Sequence, residues 1–391
     1  MNNSAITWIT ETPKPEAHSY NTRNRNNGKL MIITTVLPME VVMYGILTRV
    51  PADHWEKTLN QICKGWSAIP RDPFFQNMHF HGCKLGLYIQ DQLRINSGTQ
   101  FIQIEEKKAK VAFRRTIPGQ VCDSLDGLLL IRRSSDEPRN VNGNFYAANP
   151  ATKQVVKLAF DFEQDIMYFT CKGKIVSIDG KFKVVFLGSS NIEERYQYRW
   201  YIYSMESGMH GLIPYRKVTC PDSIAINDMF YPHNTISTGA VTYWSNIYDG
   251  MTLAFDARNE TCYSLVLPGD TNGTKWQIVK NGDQLGFVTW SYNDREIGMW
   301  ALKDLQNSIW IKTGTIVADR RSSNTNIDRG LIHSANFLYD QQILVFVICL
   351  SLRKMILKLV AFDVKTGSIR TLRKIPKFSE VGLHINSLIT L

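Results

Sequence analysis

Long apolar stretches are scarce in this chain. The longest, Ile343 to Leu352, ends at Arg353 and Lys354. It is shorter than the roughly 20 residues that cross a bilayer as a helix, so no membrane association is expected. The first thirty residues carry no apolar core of the kind a secretory leader needs, and the expected location is cytoplasmic, nuclear or both. Cysteine is sparse and scattered, with seven residues at 63, 83, 122, 171, 220, 262 and 349 and no CxxC pair. That pattern argues against a zinc ribbon or a disulfide framework and fits free thiols in a reducing compartment. Local catalytic motifs are missing too: there is no GxSxG, HExxH, phosphate-binding P-loop, GxGxxG or EF-hand loop. No cofactor is expected, and no residue is a candidate catalytic group.

What is present is enough for a large core. The chain has 391 residues, 44% of them hydrophobic, together with 25 Gly, 14 Pro, 9 Trp, 16 Tyr and 18 Phe. Many turn formers with many aromatics favour β structure. Lys and Arg exceed Asp and Glu by 45 to 35, a net charge of +10 that raises nucleic acid or an acidic partner as ligands.

Residues 1–30 are rich in Pro, Asn and Arg and are expected to be a disordered tail. Residues 36–70 read as helical. Leu37-Pro38 opens the segment and Glu40 falls in its first turn, where a carboxylate suits the helix dipole. Val41, Val42, Tyr44, Ile46 and Leu47 are too dense for one narrow stripe, so this helix packs on two sides until Pro51 breaks it. Trp55, Leu59, Ile62, Cys63 and Trp66 then give an apolar face with helical period, ending near Ile69-Pro70.

From about residue 80 onward, short apolar runs alternate with Gly, Asn, Asp and Ser clusters. Examples are Gly127 to Ile131, Phe182 to Leu187, Tyr198 to Tyr203, Met251 to Phe255 and Ile343 to Leu350. A short unit recurs among them: an aromatic or small residue, then Asp, Asn or Ser, two variable residues, then Thr, Ser or Asn. It starts at Ala148, Tyr203, Phe255 and Phe362, with a degenerate copy at Trp300-Ala301-Leu302-Lys303-Asp304. Each copy fits a strand ending in a turn whose side-chain oxygen accepts from the turn backbone. Repetition of a four-strand unit at about 40–50 residues is the mark of a β-propeller, here of about six blades, with six to eight possible.

Two further features have competing readings. His79, His81 and Cys83 alternate, so in a strand they would share one face, as zinc ligands or as a plain connecting strand. The plain strand is favoured, and no metal site is expected. Basic residues concentrate at Lys107, Lys108, Lys110, Arg114 and Arg115, and again between Arg353 and Glu380. These form either a face for an acidic partner or RNA, or charged strand edges that block edge-to-edge pairing. No aromatic-interleaved motif supports nucleic acid.

Leu37-Pro38-Met39-Glu40-Val41-Val42, Ile46-Leu47-Thr48-Arg49-Val50-Pro51 and Cys63-Lys64-Gly65-Trp66-Ser67-Ala68-Ile69 together resemble an F-box. Asp72-Pro73-Phe74-Phe75 resembles the segment just C-terminal to the F-box in plant members. Ser124-Leu125-Asp126-Gly127-Leu128-Leu129, Asn149-Pro150-Ala151-Thr152 and Met299-Trp300-Ala301-Leu302-Lys303-Asp304 are similar to the F-box-associated, kelch-like domain of that family. The resemblance implies an all-α F-box module over 31–75 and an all-β propeller over 80–391. It implies a non-catalytic subunit of a Skp–cullin–F-box ubiquitin ligase, docking a Skp-type adaptor, and through it cullin, and holding an unknown target protein. The adaptor-contact residues it implies are Leu37, Pro38, Val41, Ile46, Leu47, Val50, Pro51, Cys63, Lys64 and Trp66. The stretch from Pro51 to Cys63 is one residue longer than in the family, which keeps a second reading open: a protein-binding scaffold without a ligase. A third, a propeller enzyme acting on a glycan, requires two carboxylates converging at the channel.

Overall fold

In the computed structural model the recurrent turn units at Asn149, Asp256 and Asp363 each close the hairpin between the last two strands of a blade, and the turn of the copy at Tyr203 lies outside the described residues. The structure describes residues 41–55, 64–83, 85–91, 98–105, 108–117, 119–133, 144–158, 168–169, 173–192, 195–205, 215–220, 234–246, 251–268, 275–290, 296–317, 331–338, 343–351, 356–366, 368–376, 379–385 and 387–388. The first blade contains β4 (Gln120–Leu125), β5 (Leu128–Arg133), β6 (Asn144–Asn149) and β7 (Gln154–Leu158). The second adds β8 (Tyr168–Phe169) to β9 (Lys174–Ile178), β10 (Lys181–Ile192), β11 (Arg195–Ser204) and β12 (Tyr215–Thr219). The third is β13 (Asn234–Thr238), β14 (Val241–Ser245), β15 (Thr252–Asp256) and β16 (Thr261–Leu265). The fourth is β17 (Lys275–Asn281), β18 (Gln284–Trp290), β19 (Glu296–Asp304) and β20 (Ile309–Val317). The fifth is β21 (Leu331–Leu338), β22 (Ile343–Ser351), β23 (Ile356–Asp363) and β24 (Ile369–Ile375). The sixth joins the two ends of the β region: β25 (Ser379–Ile385) pairs with β1 (Leu85–Asp91), followed by β2 (Thr99–Glu105) and β3 (Lys108–Arg115). All pairings are antiparallel, and the architecture is a six-bladed propeller preceded by a small helical segment.

Six apolar clusters fill the six gaps between neighbouring blades. Alternation sends successive side chains to opposite neighbours. In β17, Ile278 packs toward the third blade and Val279 toward the fifth; in β18, Phe287 and Val288 divide the same way. A sheet buried on both faces reads as an unbroken apolar run, which is why the strands show so little polar alternation.

The repeated acceptor is a real turn device. Asp256 Oδ1 accepts from Arg258 N at 2.8 Å, Asp363 Oδ1 from Thr366 N at 2.9 Å, and Asn149 Oδ1 from Ala151 N at 2.8 Å. The degenerate copy is corrected by three residues. Ala301 has no acceptor and lies within β19, while Asp304 Oδ1 takes Gln306 N at 2.9 Å and Asn307 N at 3.1 Å. Four residues after the acceptor, Lys153, Glu260 and Ser308 all adopt positive φ.

Gly127 comes after Asp126 in the hairpin between β4 and β5, at φ +94°, and a Cβ there would collide with Ser387 Oγ. Gly180, in the matching hairpin of the second blade, has φ +76° and nothing within 4 Å of a would-be Cβ. Both lose the freedom that φ > 0 requires, at about 1 kcal/mol or more. Only Gly127 also loses the fit of the closing segment. Gly127→Ala is therefore expected to lower the urea midpoint well beyond Gly180→Ala; equal shifts would refute the close approach of Ser387.

Ring closure joins β25 to β1 from Leu85↔Ile385 to Asp91↔Ser379. Across the next gap, Gln120 Nε2 donates to Glu380 Oε2 at 3.3 Å, and Ser124 Oγ lies 3.0 Å from His384 Nδ1. His384 is buried against the Phe101 ring, and burial pushes its pKa down to about 3. The unfolded chain binds the proton near pH 6.5 and the folded one only near 3, so this residue leaves stability unchanged above 6.5. Between those values stability falls as the pH is lowered, by up to about 1.4 kcal/mol per pH unit. His384→Gln is expected to flatten that loss when urea midpoints at pH 6 and pH 4.5 are compared with those of the wild type.

Candidate functional site

The helical segment is built from short pieces. A wide π-helical turn covers Val41–Ile46, a 3₁₀ turn Leu47–Arg49, one α-turn Ala52–His54 and a 3₁₀ stretch Lys64–Arg71. Gly45 within the first turn and Pro51 after the second set these limits. The longest piece, α1 (Pro73–Gly82), replaces the strand expected near His79. Asp72 caps it, Oδ1 accepting from Phe75 N at 2.7 Å, and Pro73 occupies the first position, where a missing N–H costs nothing. Those two adjacent residues are the signal for this helix in the sequence.

In a helix, positions four apart share a face and positions two apart do not. His79 Nε2 donates to Val50 O at 2.8 Å, which leaves Nδ1 as the acceptor 3.2 Å from Cys83 Sγ. His81 is exposed. The three side chains thus do not converge on one ion. Burial lowers the His79 pKa and pushes the Cys83 thiol up to about 12, so both are neutral and the pair works as a clamp between α1 and the Val50 turn.

The segment has two apolar sides. The inner side, Val42, Leu47, Ala52, Trp55, Ile69 and Phe75, shares one core with Ala151 of the first blade and Leu388 beyond β25. Trp55 and Phe75 meet edge to face at 5.1 Å. The outer side exposes Val41 (47%), Ile46 (48%), Phe74 (58%) and Met78 (39%), and Tyr44 packs edge to face on Phe74 at 5.4 Å. Of the expected adaptor-contact residues, Val41 and Ile46 lie on this outer side, Pro51 is exposed, Val50 is half-buried, and Leu47 is only 2% exposed and turned to the propeller. Leu37, Pro38 and Cys63 lie outside the described residues, as do the side chains of Lys64 and Trp66. Phe74 and Met78, which are not among the expected adaptor contacts, are exposed as well.

The seat beneath is polar as well as apolar. The buried Asn149 donates from Nδ2 to Ser387 O at 3.1 Å while its Oδ1 holds the Ala151 turn. Arg115 Nε adds a bond to Pro150 O at 3.0 Å. Deeper in the propeller, the Asp123 carboxylate takes Lys174 Nζ at 3.0 Å, Ile175 N at 2.8 Å and Ser237 Oγ at 3.4 Å, tying three blades together. No group of three His, Cys, Asp or Glu side chains among the described residues is placed to hold a metal ion. No helix among them is long and apolar enough to cross a membrane.

Comparison with protein families matches residues 87–381 to the F-box associated beta propeller domain. The chain belongs to that family. Comparison with curated proteins finds no match. Among solved structures, the F-box associated propeller is similar to a chain of the nidogen/laminin complex at 12% identity and a TM-score of 0.40, covering 77% of this chain and 98% of that one. It is also similar to a protein described as a 6-phosphogluconolactonase from Bacteroides uniformis ATCC 8492, at 9% identity and a TM-score of 0.42, covering 77% and 99%. At such scores neither bears on function.

The seat predicts that Asn149→Ala costs about 2–3 kcal/mol, because a buried N–H and a buried C=O both lose their partner. Asp256→Ala, the same turn in an exposed setting, is expected to cost less in urea unfolding. Limited proteolysis of Asn149→Ala should also cut first within residues 41–83. Equal costs and an unchanged cleavage pattern would show that the turn does not seat the helical segment.

Proposed function

We propose that this F-box associated propeller is the substrate-recognition subunit of a Skp–cullin–F-box ubiquitin ligase of the plant type. Its helical segment acts as the F-box and its kelch-like propeller holds the target protein, in the cytoplasm or nucleus. The observation that carries this reading is the outer apolar side, Val41, Ile46, Phe74 and Met78, fixed to the propeller through a shared core. Several large apolar side chains exposed on one short segment mark a partner site, and an apolar helical face suits a groove between the partner's helices.

Leu37, Pro38, Val41, Ile46, Val50, Pro51, Cys63, Lys64 and Trp66 take the Skp-type adaptor in this reading, with Leu47 supporting them from within. The adaptor links the chain to cullin. The chain performs no bond chemistry itself; it raises the local concentration of target lysines at a ubiquitin-charged partner, and the rate gain is one of proximity.

Co-purification of the full chain with a plant Skp-type adaptor tests the proposal. Val41→Ser with Ile46→Ser is expected to weaken adaptor retention about tenfold or more, since two exposed apolar anchors are lost from an interface. Absence of wild-type binding, or equal retention by the double variant, would reject the ligase reading and leave the scaffold reading in its place.

A further inference from the structure

Two basic runs far apart in sequence are brought together by ring closure. β3 and β24 are the outermost strands of neighbouring blades and touch each other. Arg370 and Arg373 stand opposite Ala361 and Leu359, and those two residues belong to the core that packs against the blade containing β3. Their side chains thus emerge at the rim between the two blades. From β3, Lys110 and Arg114 are exposed. On the other face of the same hairpin, Lys358 pairs directly with Lys374 across β23 and β24.

Three cations therefore share the gap between the two blades, Arg114, Arg370 and Arg373, while Lys110 lies on the opposite face of β3 from Ala109 and Val111, and Lys358 and Lys374 lie on the face turned to the fourth blade. Among the described residues none of them forms an ion pair within 4 Å. Asp363 feels the Arg370 charge, but its Oδ1 is held by Lys365 N and Thr366 N. Like charges held close together repel, and a carboxylate-bearing partner removes that cost.

We propose that the rim formed by β24 and β3 binds an acidic, extended segment of a partner protein, with Asp and Glu carboxylates taken by Arg370, Arg373 and Arg114. Guanidinium forks meet carboxylates in bidentate fashion, and the outer edge of β24 presents unpaired backbone groups to an extended chain. A protein is favoured over RNA because base recognition needs exposed aromatic platforms, and Phe113, the aromatic residue of these two strands, is buried against Phe101. This inference deepens the target-binding half of the proposed function and holds whether or not the helical segment recruits an adaptor.

The test is fluorescence anisotropy of the full chain with a labelled synthetic peptide of about ten residues, alternating Asp or Glu with Ser, at about 50 mM salt. Controls are its Asn/Gln isostere and a single-stranded RNA of equal charge. The acidic peptide is expected to bind and the isostere not. Arg370→Ala with Arg373→Ala should weaken binding about tenfold, the size expected for two charged contacts. Lys275→Ala with Lys303→Ala, an equal charge change on the fourth blade, should stay within about twofold if only the general field is altered. Circular dichroism and thermal melting confirm that both double variants fold. No peptide binding, equal loss in both variants, or tighter binding of the RNA would each overturn the proposal. Adaptor co-purification of Arg370→Ala with Arg373→Ala is expected to be unchanged, so failure here and failure of the ligase reading are distinguishable.

Discussion

The pairing of β25 with β1 is the constraint on which the rest of this molecule depends. A ring of blades is stable only when its ends meet, because an open first or last blade would expose one of the six inter-blade cores. Here the meeting strands come from opposite ends of the β region, and their register runs over seven residue pairs. Polar bonds reinforce the neighbouring gap through Glu380 and His384. Of these groups His384 is buried and Glu380, Gln120 and Ser124 are half-buried.

Closure also builds the seat for the helical segment. The chain leaving β25 places Ser387 against the Asp126-Gly127 hairpin, Oγ donating to Asp126 O at 2.6 Å. It places Leu388 in the same core as Trp55 and Phe75. Residues near both ends of the described chain and a turn of the first blade thus share one small core. The helical segment is not tethered by a free linker; its orientation is set by the ring. An apolar surface carried on such a segment keeps a fixed distance and angle to the propeller, and positioning of this kind is what the proposed proximity mechanism requires.

The sequence made the ring legible where a side chain does the folding work locally. Asn149, Asp256 and Asp363 each accept from the backbone two or three residues on, so their spacing reports blade spacing directly. The Ala301 copy departs from the pattern because spacing alone does not make the turn: Asp304, three residues on, carries the oxygen the turn needs. A second repeat is a backbone conformation rather than a side chain. Glycine with positive φ recurs in the first hairpin of four blades, at Gly127, Gly180, Gly239 and Gly282. The helical segment was harder. Its apolar residues are so dense that period cannot say which face turns inward, and the answer depends on Ala151 and Leu388, which only closure brings near. Hence Leu47, grouped with Val41 and Ile46 in the sequence, separates from them in space. Alternation at His79, His81 and Cys83 misled because Asp72-Pro73 had already started a helix.

Charge obeys the same logic. Along the chain, the basic runs are separate and each reads as an edge guard. The ring makes them neighbours, and the repulsion they add is tolerable because of what lies under them. Leu357, Leu359, Ile102 and Ile104 are fully or almost fully buried between the two blades. Each such side chain contributes about 1.5–3 kcal/mol on burial, whereas an exposed like-charge pair on a sheet costs about 0.2–1 kcal/mol. The core can therefore fix β3 and β24 side by side against their charges. A surface held in an unfavourable charge state by the layer beneath it is preorganised: its cations do not have to be gathered when an anion arrives, and the repulsion already present is relieved by binding.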